Sequence, residues 1–109
     1  MKIFTVLNGK QMEILKITDM VSGIIYQTDG NVIEKTFSKS NISLKDMQNI
    51  VKGYIEFLYL KDDLIMVINE EGKINSLPVN VKATRLVQES GIKDIIVGDV
   101  LVVNKNLIK

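Results

Sequence analysis

The run "LIMVIN", Leu64–Asn69, carries no polar side chain until its last residue. A surface helix needs a polar face, and a surface strand needs polar and apolar residues in alternation. A run this short and this uniformly apolar fits a strand covered on both faces, in the middle of a sheet. The rest of the chain supplies neighbours for it. "YIEFLYL" (Tyr54–Leu60) reaches it through "KDD", which predicts an antiparallel pair. "VSGIIYQT" (Val21–Thr28) and "VIEKTF" (Val32–Phe37) flank "DGN", a hairpin signal. "KIFTVLN" (Lys2–Asn8), the Asn8-Gly9 turn and "MEILKI" (Met12–Ile17) predict an earlier hairpin. "DIIVGDVLVVN" (Asp94–Asn104) reads as a strand pair or as one bulged strand, with Gly98 at the break.

Two stretches follow a helical period instead. "SLKDMQNIVK" places Leu44, Met47 and Val51 on one face, with Ser43 as the cap and Gly53 as the stop. Asn80 caps "VKATRLVQES", whose apolar face is Val79, Ala83, Leu86 and Val87, and Gly91 ends it. The predicted architecture is α+β: one domain over residues 1–109, a mostly antiparallel sheet of five to seven strands, and two short helices on one face.

Composition narrows the chemistry. The chain has neither Cys nor His. Disulfides, thiolate nucleophiles, thiolate or imidazole metal ligands and imidazole base catalysis are therefore excluded. With no Gly-rich phosphate loop either, the expectation is a non-enzyme without metal or cofactor. The 14 basic and 13 acidic residues are interspersed, which predicts no nucleic-acid partner. The opening "MKIFTVLNGK" is too short an apolar run for a secretory leader, and no segment approaches the roughly 18 apolar residues of a membrane helix. The expected location is the cytoplasm. The mean hydropathy of +0.16 and the apolar run "VGDVLVVNKNLIK" predict a homo-oligomer, most simply a two-fold dimer.

"NEEGKINSLPVN", Asn69–Asn80, holds the only Pro, three Asn, a Glu pair and a Gly. Turn and cap chemistry accounts for Gly72, Pro78 and Asn80, with "NEEGK" as a hairpin turn between Ile68 and Ile74. A second reading makes the stretch one edge of a pocket. The N–H groups at the start of the Asn80 helix suit an anion, and Lys73 and Arg85 could reach its phosphate. Tyr54 and Glu56 share a strand face, where a Tyr can stack on a base and a Glu can accept hydrogen bonds from a ribose or an exocyclic amine. An exposed sheet face in which Tyr54 merely covers apolar neighbours accounts for the same pair. Antiparallel pairing through "KDD" brings Asn69 beside the beginning of the Tyr54 strand. The candidate ligand-binding residues are thus Tyr54, Glu56, Asn69, Glu70, Lys73, Asn80 and Arg85, facing a small anionic ligand. Asp62-Asp63 sits in a turn, where shared metal or acid–base work is not expected.

The order "GYIE", "NEEGK", "LP", "N" and a closing Gly among apolar residues (Gly53 to Glu56, Asn69 to Lys73, Leu77-Pro78, Asn80 and Gly98) resembles the family called domain of unknown function thirty-eight forty-six. The resemblance covers Ser43–Val103 and leaves the first 42 residues as an N-terminal elaboration. It departs from the family pattern twice: Lys52 and Ser76 stand where Gly is expected. It carries no activity with it. It implies a phage or mobile-element setting in a bacterial host cell. The function expected is sequestration of a small ligand, with a nucleotide signal of host anti-phage defence as the candidate. The alternative is a protein-binding inhibitor or adaptor that acts through an exposed sheet edge.

Overall fold

Hairpins dominate the layout because short apolar runs alternate with tight turns. The computed structural model describes residues 21–38 and 41–108. The first hairpin of those residues is β1 (Val21–Tyr26) and β2 (Val32–Phe37), in register from Val21↔Phe37 to Tyr26↔Val32. Gly30 takes φ 95 in its turn, and the Asp29 carboxylate accepts from both the backbone and the side chain of Asn31. Helix α1 (Leu44–Val51) follows, then β3 (Ile55–Tyr59) and β4 (Leu64–Asn69), paired from Ile55↔Asn69 to Tyr59↔Ile65. Asp62 and Asp63 both adopt left-handed angles in the joining turn, as a tight two-residue reversal requires. Helix α2 (Val81–Glu89) leads to β5 (Val100–Asn104) and a 3-10 turn, Lys105–Leu107. The earlier hairpin expected over Lys2–Ile17 lies outside the described residues.

The fold is α+β. The described strands form one five-stranded antiparallel sheet in the order β2-β1-β5-β4-β3. β5, the last described strand, therefore runs through its centre, with β1 on one side and β4 on the other. The helices do not share a face, as the sequence reading had them. α1 sets Met47 and Val51 against Ile65, Val67, Leu101 and Val103. α2 sets Ala83 and Val87 against Met66, Val100 and Val102. Successive strand residues point to opposite faces, so the odd and even positions of β4 and β5 each need their own apolar cover. Each fully buried aliphatic side chain there contributes about 1.5–3 kcal/mol. A sheet with both helices on one face would leave half of these side chains in water.

Both helix starts are built as the sequence predicts. Ser43 Oγ accepts from Asp46 N at 3.0 Å, and Asn80 Oδ1 accepts from Ala83 N at 3.1 Å. α2 also stops at a residue suited to stopping it. Gly91 takes φ 85, its N–H donates to Gln88 O, and the next N–H donates to Val87 O. Among the described residues no helix is long and apolar enough to cross a membrane.

Candidate functional site

The stretch after β4 does not fold back as a strand. Asn75 N donates to Glu71 O, Ser76 N to Lys73 O, and Leu77 N to Gly72 O, all within 3.1 Å. Ser76 takes φ 56. This is a single helical turn closed by a left-handed stop, not the hairpin turn between Ile68 and Ile74 that the sequence suggested. Ile74 is 81% exposed as a result. Gly72 does not use a positive φ either. It is small because a Cβ there would lie 2.8 Å from Val97 Cγ2. Leu77 then packs over Gly98, and a short ribbon forms. Val79 bridges Val97, Gly98 N donates to Pro78 O, and Asn80 N donates to Ile96 O.

Asn69 and Asn80 are buried and spoken for. Asn69 Nδ2 donates to Val51 O (3.0 Å) and Lys52 O (3.4 Å), the open carbonyls at the end of α1. Its Oδ1 accepts from Glu71 N at 2.8 Å. A polar residue ends the apolar strand β4 because a helix terminus beside it needs donors. Asn80 is 0% exposed. Its Nδ2 donates to both Tyr26 O and Gly98 O at 2.8 Å, while its Oδ1 caps α2. It ties helix, ribbon and β1 together.

Four of the seven candidate residues do meet. Glu56, Asn69, Glu70 and Lys73 line a depression of about 130 Å³, walled by Ile74, Ile95 and the 94–97 segment. Tyr54 is exposed beside it, joined through its carbonyl, which accepts from Glu70 N at 2.9 Å. Arg85 is not in the group. It lies on the outer side of α2 in a separate groove of about 270 Å³ that shares only Ile95 with the first. One groove-forming residue, Asp94, was not singled out from sequence. Lys73 Nζ donates to Asp94 Oδ1, as does Ile95 N. The Lys73 hydrogen bond first, then that of Ile95, holds the Asp94 carboxyl below the ordinary aspartate value. With Lys73 committed to Asp94, Glu56 and Glu70 have no cationic partner among the described residues. The site therefore favours a ligand that brings hydrogen-bond donors over a bare phosphate. No group of His, Cys, Asp or Glu among the described residues is arranged to hold a metal ion.

A family model matches residues 1–107, a span that takes in the segment before Ser43 as well as the part that carries the resemblance. No curated protein and no solved structure matches the chain.

Proposed function

The chain belongs to the family described as Domain of unknown function (DUF3846), and from that footing we propose that it is a non-enzymatic phage or mobile-element protein that binds and sequesters a small ligand. One observation supports the reading: two carboxylates without a cationic partner among the described residues, Glu56 and Glu70, line one depression with the apolar side chains of Ile74 and Ile95. Such a surface accepts hydrogen bonds from amine and hydroxyl groups while an apolar face of the ligand rests on the aliphatic side chains. The base and ribose of a nucleotide signal have these groups, and Tyr54 stands beside the depression as a stacking partner. The phosphates would point away from the carboxylates into solvent.

The test is uptake. The protein is incubated with a panel of nucleotide signals, freed of excess ligand and heated. Intact ligand released on denaturation supports sequestration, and altered ligand replaces it with an enzyme. Glu56→Gln and Glu70→Gln should each lower uptake about tenfold, the loss of one charge-assisted hydrogen bond. No uptake of any member leaves the second reading, a protein-binding inhibitor or adaptor. That reading is favoured by Tyr54 and Tyr59, which stand exposed at the two ends of β3, the outermost described strand on its side of the sheet.

A further inference from the structure

The ribbon before α2 has its polarity reversed. Along a two-stranded ribbon alternate residues face opposite ways, and the solvent side ordinarily carries polar residues. Here Asn80 and Ile96 face inward, at 0% and 2% exposure. The outward ribbon positions Val79 and Ile95 are 51% and 52% exposed, and Val81, the first residue of α2, is 61% exposed beside them. With Thr84, Arg85 and Gln88 of α2 they line the groove of about 270 Å³. Among the described residues no acidic side chain lines the groove. Arg85 enters no ion pair among the described residues. Thr84 is already occupied, because its Oγ1 accepts from Ile96 N at 2.8 Å. The open polar groups are thus one guanidinium and one amide, standing over an aliphatic floor. A group of exposed aliphatic residues with a single unpaired cation marks a contact surface.

We propose that this groove docks a short segment of a partner protein in which an acidic residue sits among aliphatic ones, the carboxylate pairing with Arg85 and the aliphatic side chains covering Val79, Val81 and Ile95. A second copy of this chain is the poorer occupant: a two-fold contact sets the same patch against itself, and the described lining of the patch offers Arg85 no carboxylate. The proposal concerns a surface on the far side of Ile95 from the Glu56 depression, and a failure of nucleotide uptake would leave it intact.

The probe is the synthetic peptide acetyl-Val-Glu-Leu-Glu-Ile-amide, titrated into the ¹⁵N-labelled full chain and followed by NMR. The expected result is saturable shifts at Val81, Arg85, Gln88 and Ile95, and at least about tenfold weaker binding when both peptide glutamates are replaced by glutamine. Arg85→Gln should weaken binding by a similar factor. Ile95→Asp should abolish it with the rest of the spectrum unchanged, since that side chain is half exposed. No shift at about 1 mM peptide, equal binding of the glutamine peptide, or unaltered binding by Arg85→Gln would each overturn the proposal. So would a dimer in light scattering that is lost on Ile95→Asp, which would give the groove to a second copy.

Discussion

Lys52 and Ser76 adopt left-handed backbone angles, φ 63 and φ 56. They are the two positions at which the resemblance implies glycine. Each ends a helical turn: Lys52 closes α1 and Ser76 closes the turn after β4. A side chain at a left-handed position crowds its own backbone, at a cost of about 1–2 kcal/mol that glycine avoids, less the greater chain entropy that glycine loses on folding. Ser76→Gly and Lys52→Gly should therefore each stabilise the protein by about 0.5–1 kcal/mol in urea denaturation. Lys52 would also give up its ion pair with Asp99 at 3.6 Å, but its own side chain is largely in water and the pair contributes little. Asn80 tests the opposite case. As a simple cap its loss would cost about 1 kcal/mol. Its amide also satisfies two buried carbonyls, so Asn80→Ala should cost about 2–4 kcal/mol. Asn80→Asp keeps the cap acceptor yet turns an oxygen toward those carbonyls. It should destabilise at least as much as the alanine variant, whereas a residue serving only as a cap would tolerate it.

The elements themselves were largely legible in the sequence. β2 and β4 have the expected bounds, α1 and α2 sit within a residue or two of theirs, and the caps at Ser43 and Asn80 and the stop at Gly91 are where their chemistry places them. The faces of the helices were also written there and read inconsistently. "LIMVIN" is apolar at odd and even positions alike, and such a strand requires cover on both sides. Two features were hidden. A left-handed serine gives no signal by composition, so the turn after β4 passed for a hairpin. The structural role of Asn69 was hidden because the carbonyls its amide serves, those of Val51 and Lys52, are 18 and 17 residues away in sequence. The junction of α1, β3 and β4 at Asn69 is tight. A Cβ on Gly53 would lie 2.7 Å from Asn69 Nδ2. Gly53→Ala should cost about 1–3 kcal/mol by pushing that amide off its carbonyls, and Asn69→Ala should remove most of the additional penalty in a double-mutant cycle.

Across the whole molecule, apolar packing on two faces outweighs charge. The ion pairs of the described residues are Lys52–Asp99, Lys73–Asp94 and Lys105–Asp63, and each has a lysine well exposed to water. Of these carboxylates, Asp94 has a lowered folded-state value. Its contribution is accordingly full above the value of an unfolded aspartate and is lost as pH falls through the lower folded one. The pair is exposed, so the change amounts to a few tenths of a kcal/mol. Urea midpoints measured at neutral and at strongly acid pH should differ by less in Lys73→Met than in the parent chain, and about 1 M salt should shrink the difference further. The strand order has a temporal consequence. On the ribosome the β1–β2 and β3–β4 hairpins emerge early, but they have no shared edge until β5 is made. Until Val100 is made, the two hairpins of the described residues share no β5 edge, a state open to proteases and to wrong pairing. Synthesis of five residues, Val100–Asn104, then joins them into one sheet, so commitment to this sheet waits on β5.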